Sequence, residues 1–278
     1  MSRRRGERPC GAYHEGSPLN GPKLDDASAW RLDTFLVPPR TLGDPTVVLD
    51  GAEGHHALHV VRAAEGDVVR LVDGEGVEAL ARIDGARASQ ASLSILERKT
   101  HRREEGALLT LVQALLKGSG FSEVVRRATE LGVAALVPVT TERSVGRVPK
   151  GREDDRAARW LAVARSALKQ CRGVYLPRIE AVRPLSAVGP FLAEAQLGLV
   201  AWEEEQVAGI REVIARAGRP RRIALVVGPE GGLSAAEIEV LASLGARPVS
   251  VGRRVLRADW AGPAAAAMVA SAVGGLLP

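Results

Sequence analysis

Aromatic residues make up only 3% of this 278-residue chain, too few for the stacking platforms on which single-strand RNA binders spread their bases. Any grip on a nucleic acid is therefore expected to be mainly electrostatic. The cores must be built from Leu, Val and Ala, and a hydrophobic content of 46% is enough to build them. Two cysteines, Cys10 and Cys171, stand far apart in the chain, which excludes a disulfide framework and a cysteine-built metal cluster and points to a reducing cytoplasm. No stretch approaches the ~18 consecutive apolar residues of a membrane span, and the basic start Arg3-Arg4-Arg5 is not followed by the apolar run of a secretory signal. The chain reads as a soluble protein that is not exported.

What is present is positive charge, unevenly placed. The net charge is +5, yet the stretch from Arg143 to Arg178 alone holds ten Lys or Arg against three Asp or Glu. A patch of that kind favours a polyanionic partner, the alternative being the solvated face of an Arg-rich helix.

The texture changes twice along the chain. Residues 1–29 are rich in Gly, Pro and charge without hydrophobic period, and are expected to be a disordered basic extension. Between 30 and 98, short β-type runs are punctuated by Asp-Gly pairs at Asp50, Asp73 and Asp84, which reads as a small barrel interrupted by one helix near Glu53 to Ala63. That helix carries His55, His56 and His59. His55 and His59 share a face and could pair on a metal, but no third ligand follows at suitable spacing; a structural face or a contact to RNA phosphate, with Arg62 nearby, are the other readings. From 105 to 278, β-type runs alternate with amphipathic stretches, which argues for a mostly parallel sheet covered by helices on both faces. Lys117-Gly118-Ser119-Gly120 after the first of these strands lacks the third glycine and the acidic residue of a dinucleotide fingerprint, so a Rossmann dehydrogenase is rejected.

The stretch from Leu225 to Ala267 concentrates the chemistry. An apolar strand breaks at Gly228-Pro229-Glu230-Gly231-Gly232, and Ser234 with Glu237 three residues on forms a capping box that opens a helix. A second loop, Gly252 to Arg257, follows the next strand and leads to a helix expected to begin near Pro263. Two such loops after strands offer backbone to a ligand at the carboxyl edge of a sheet.

This combination resembles the cofactor-binding knot of SPOUT-class methyltransferases, in particular the family that methylates N3 of a uridine in bacterial 16S ribosomal RNA. The likeness extends through Leu111 to Gly118, Ala128 to Val133 and Val139 to Ser144, and to Phe35 to Pro39, Gly54 to His56 and Val60 to Arg62 near the amino terminus. It implies an α/β knot, a deep trefoil that chain physics alone would not predict, behind a PUA-like or OB-like RNA-binding domain. It further implies S-adenosylmethionine as cofactor, no metal, ribosomal RNA as partner, and a homodimer formed through the knotted domain.

The resemblance places the cofactor against Trp202, Gly228, Glu230, Gly231, Val251, Gly252, Leu256 and Ala261, with Glu230 either binding it or stabilising the following helix. Arg257 is the candidate for charge work on the target base. Asp259 could take a proton or orient Arg257, and RNA contacts are expected from His55, His56, Arg62, Lys117, Arg143, Arg147, Lys150, Arg152 and Trp260. Two departures stand out. Family members usually follow the arginine with Thr-Glu-Thr-Ala or Thr-Ser-Thr-Ala, where this chain has Ala258-Asp259-Trp260-Ala261. They also tend to have Glu-Gln-x-Gly-Arg where this chain has Lys169-Gln170-Cys171-Arg172-Gly173. Both are expected at the active site, so two other readings stay open: a paralogue methylating another RNA nucleotide or a small molecule, and an RNA-binding protein without catalysis in which Trp260 fills the methionine end of the pocket. Trp260 could equally stack on an extruded base or fill core volume.

Overall fold

A computed structural model describes residues 23–25, 29–102, 106–145, 153–205 and 208–276. In the amino-terminal part, β1 (Thr34–Leu36), β2 (Thr46–Leu49), β3 (Val68–Val72), β4 (Val77–Arg87) and β5 (Gln90–Thr100) form one sheet in the order β1-β3-β4-β5-β2. It is mixed: β1 runs parallel to β3 and the other neighbours are antiparallel. Alternation decides which side faces in, as in β2, where Val47 and Leu49 are buried and Val48 is exposed. Bulges between Leu80 and Ala81 and between Ile83 and Gly85 bend the long β4–β5 hairpin. The core of Phe35, Leu49, Leu71 and Leu93 is closed by Ala57, on the π-helical turn His56–Val61 that continues α1 (Gly51–His55).

The expected basic extension lies almost wholly outside the described residues. Its described end is packed: Leu24 is buried, its amide donates to Glu97 Oε2 (2.9 Å), and Lys99 pairs with Asp25 (2.6 Å).

The second sheet is all parallel, β12-β10-β11-β6-β7-β8, comprising β6 (Leu108–Ala114), β7 (Ala135–Thr140), β8 (Arg178–Ile179), β10 (Leu197–Ala201), β11 (Arg222–Val227) and β12 (Ala246–Val249), with β9 (Arg183–Pro184) also pairing β7. Its central strands β10 and β11 read as nearly continuous apolar runs because both faces are covered. One face packs on α2 (Gly120–Glu130), α3 (Glu153–Cys171), α5 (Ile210–Arg216) and α7 (Ala258–Val273), the other on α4 (Gly189–Glu194) and α6 (Ala235–Ser243). The knot is made at the carboxyl edge. The connection after β10 is pinned to the end of β12, the Trp202 amide donating to Val249 O (3.1 Å) and the Ser250 amide to Ala208 O (2.8 Å). The chain leaving β12 continues as α7, which packs against both α2 and α5. Buried Ala265 and Ala266 permit that close packing.

The last helix begins at Ala258, five residues before the expected start, so Pro263 is internal rather than in the first turn. A proline there cannot donate to the carbonyl of Asp259 four residues back. That carbonyl is satisfied from outside the helix by Arg127 of α2, whose Nη1 donates to it at 2.8 Å.

Candidate functional site

Because the strands are parallel, the loops after β6, β10, β11 and β12 gather at one edge of the sheet, where open α/β sheets bind ligands. Seven of the eight residues expected to contact a cofactor, Trp202, Gly228, Glu230, Val251, Gly252, Leu256 and Ala261, line a single cleft. The eighth, Gly231, lies outside it: its carbonyl accepts from Arg143 Nη1 (3.0 Å), and a Cβ there would meet Arg143 Cβ at 3.2 Å.

Backbone forms the floor. A Cβ on Gly228 would stand 3.0 Å from Leu233 Cγ and 3.2 Å from the Gly232 carbonyl carbon. The Gly228 carbonyl accepts from Nε2 of Gln113 (3.2 Å), a fully buried amide in a mostly apolar strand. Gly252 has φ +141, a conformation that L side chains rarely adopt. Glu203, Arg254 and Val255 also line the cleft without having been expected there. Val255 is 86% exposed at the mouth.

The rim is braced by charge. Glu230 Oε1 accepts from the Lys117 amide (3.0 Å), tying the loop after β6 to the loop after β11. The capping box forms as expected, Ser234 Oγ accepting from the Glu237 amide (3.3 Å) and Glu237 Oε2 from the Ser234 amide (2.9 Å). Glu237 Oε1 also accepts from the Glu142 amide (2.8 Å), which fixes the neighbouring loop. Arg257 Nε donates to Asp259 Oδ1 (3.3 Å), the guanidinium standing in solvent while the carboxylate is three-quarters buried. Trp260 does not line the cleft. Its half-exposed ring lies under the Arg127 guanidinium, 4.6 Å from the ring centroid, so it does not fill a ligand's place.

The remaining expected residues separate. Lys117 and Arg143 are exposed beside the cleft. Arg147, Lys150 and Arg152 lie outside the described residues. His55 and His59 stack on each other, ring centroids 4.7 Å apart, whereas His56 turns inward against Phe35 at 5.7 Å. His56 is thus a packing residue, and Arg62 ends the π-helical turn in a left-handed conformation (φ 62). Among the described residues no three His, Cys, Asp or Glu side chains converge as a metal site would require, and no helix is long and apolar enough to cross a membrane.

The departure at 169–173 is not at the cleft but at the seam between the two sheets. Lys169 pairs with Glu53 (2.7 Å), and Arg172 donates to the carbonyls of Ala29 (2.6 Å) and Leu32 (3.2 Å). The Arg172 carbonyl accepts from Arg70, itself paired with buried Glu78. Burial, and then the neighbouring Arg70, hold the Arg172 guanidinium below its usual pKa, and burial pushes the Cys171 thiol up. The side chains of Lys169 and Arg172 are occupied in joining the domains.

Residues 103–270 match the family model described as an RNA methyltransferase domain, and residues 49–96 match an RNA methyltransferase PUA domain. The chain is 32% identical over 245 residues to ribosomal RNA small subunit methyltransferase E of Synechocystis, covering 87% of this chain and 77% of that protein. To the Mycobacterium bovis protein of the same name it is 34% identical, covering 82% of this chain and 85% of the relative. The crystal structure of ribosomal RNA small subunit methyltransferase E from Neisseria gonorrhoeae bound to S-adenosyl methionine superposes with a TM-score of 0.75 at 25% identity, over 86% of this chain and 97% of that one. The chain belongs to the ribosomal RNA small subunit methyltransferase E family, with an RNA methyltransferase domain behind an RNA methyltransferase PUA domain.

Proposed function

We propose that this protein methylates small-subunit ribosomal RNA at N3 of a uridine, in the cytoplasm, with S-adenosylmethionine held in the cleft at the knot. The observation that carries the reading is the cleft itself, floored by glycine backbone, in a chain whose relatives are named small-subunit ribosomal RNA methyltransferases. Its apolar walls at Trp202, Val251 and Leu256 and its main-chain groups suit an adenosine with a short charged tail. The cofactor supplies a methyl group already activated on a sulfonium sulfur.

The protein must then deal with the base. N3 of uracil is an imide nitrogen and a poor nucleophile while protonated, so the proton must leave and N3 must be aligned. Arg257 offers a mobile guanidinium to the anion that forms. Asp259, its partner at 3.3 Å, either orients it or receives the proton. Glu230 acts as a brace through the Lys117 amide rather than through the ligand. Lys117 and Arg143 contact RNA phosphate, joined by Arg147, Lys150 and Arg152 of the same basic stretch and by His55 and Arg62 of the PUA-like domain. A homodimer through the knotted domain completes the proposal. The outward stripe of α7 supports it, running Trp260, Ala264, Ala267, Met268, Ser271 at helical spacing, with Trp260 50% and Met268 36% exposed.

Calorimetry with S-adenosylmethionine, together with nucleoside analysis of small-subunit RNA from a strain lacking the gene, tests this. Saturable heat and loss of 3-methyluridine are expected. Absence of heat would leave an RNA-binding protein without catalysis, and loss of a different modified nucleoside would make the chain a paralogue with another target.

A further inference from the structure

The first turn of α7 carries Ala258 and Ala261 on the cleft wall and Asp259 beside Arg257 at the rim. It is also the turn that Pro263 weakens, because the Asp259 carbonyl has no amide donor four residues ahead. The Trp260 and Ala261 amides both bond to the Arg257 carbonyl (2.8 Å each), so the turn is hydrogen-bonded at its start, while Pro263 has no N–H to offer the Asp259 carbonyl. One side chain compensates. Arg127 reaches across from α2, donates from Nη1 to that carbonyl at 2.8 Å, and lays its guanidinium over the Trp260 ring at 4.6 Å. Glu123, one turn back on α2, stands 3.9 Å from the same guanidinium and helps to hold it. A planar fork can satisfy a carbonyl and cover an aromatic face at once.

We propose that Arg127 is a positioning residue of the methyl-transfer site: its guanidinium replaces the backbone donor that Pro263 lacks and so sets the turn on which Arg257, Asp259 and the Ala258–Ala261 wall stand. The inference rests on the reading of the cleft as the methyl-donor site. It also accounts for Trp260, the residue least like its family counterparts, as one half of the brace. Arg127 does not line the cleft and meets Asp259 at its main-chain carbonyl, so its effect travels through α7.

The arrangement predicts a specific epistasis. Pro263→Ala returns an amide donor to the Asp259 carbonyl and should make Arg127 dispensable. Arg127→Met, Pro263→Ala, the double variant and Arg127→Lys are compared in the full-length protein by hydrogen exchange without ligand and by methyl transfer to RNA. In Arg127→Met, amides 260–262 are expected to exchange about ten-fold faster while those of β11 keep their protection. The same variant should lose about ten-fold in kcat with a smaller change in S-adenosylmethionine affinity. The double variant should regain most of both losses, and Arg127→Lys, which keeps one donor, should fall between. If the two substitutions simply multiply, or if Arg127→Met leaves exchange in the turn unchanged, the brace is refuted. A wild-type protein inert with S-adenosylmethionine would overturn the reading of the cleft, and the exchange cycle would still decide the role of Arg127.

Discussion

Gly228 and Gly231 sit three residues apart in one loop, yet the structure gives them different tasks. A side chain on Gly228 would press on Leu233 and Gly232 within the cleft floor, whereas one on Gly231 would press on Arg143 outside it. Gly228→Val is therefore expected to abolish the heat of S-adenosylmethionine titration, and Gly231→Val to leave affinity within about ten-fold of wild type. Equal loss in both would place the ligand elsewhere. Asp259 makes a second residue-scale test. Its carboxylate faces the Arg257 guanidinium, so Asp259→Asn should lower kcat by about 10²-fold, the lower end of what a positioned acid–base group contributes, with both ligands still bound. Normal turnover in that variant would remove Asp259 from the chemistry.

At the scale of elements, what could be read in advance was what is local. The glycine loop and the Ser234–Glu237 box are each written in a few consecutive residues and lie where their patterns put them, whereas α4, β8 and β9 left no such signal. The start of α7 was not legible: Pro263 marks a first turn well, and only a guanidinium from another helix lets the helix begin at Ala258. The same holds for Lys169 to Gly173, whose partners at Glu53, Ala29 and Leu32 are over a hundred residues away in sequence. Gln113 did leave a signal, a lone amide in the apolar run Leu109 to Leu116, but its partner Gly228 is visible only in the fold. The capping box gives this scale its prediction. Ser234→Ala should cost ~1 kcal/mol of stability and lower the melting temperature, because the Glu237 amide loses its acceptor and Glu237 in turn loses the geometry that holds Glu142. An unchanged melting temperature would mean that the box adds nothing beyond the loop's own packing.

Taken whole, the molecule is two sheets joined by a polar seam, with an apolar stripe left on the outer face of its last helix. Buried Arg70 and Glu78, flanked by half-buried His101 and Arg172, form the seam's centre, where Glu78 accepts from both Arg70 and His101. Such a centre fixes the relative setting of the domains more than it stabilises them, since desolvating the charges offsets much of their attraction. The α7 stripe is a different case, because single exposed apolar residues need no explanation but a row of them along one helix face does. Met268→Glu should convert the proposed dimer to monomer in light scattering; a wild-type protein that is already monomeric would end that part of the account.

The central claim is that the glycine-floored cleft delivers a methyl group to N3 of a ribosomal uridine. It is tested most directly by incubating the purified protein and methyl-labelled S-adenosylmethionine with small-subunit RNA from a strain lacking the gene, digesting the RNA and separating the nucleosides. The account predicts label in 3-methyluridine with the wild-type chain and none with Gly228→Val. Label in any other nucleoside, or label that survives Gly228→Val, would contradict it.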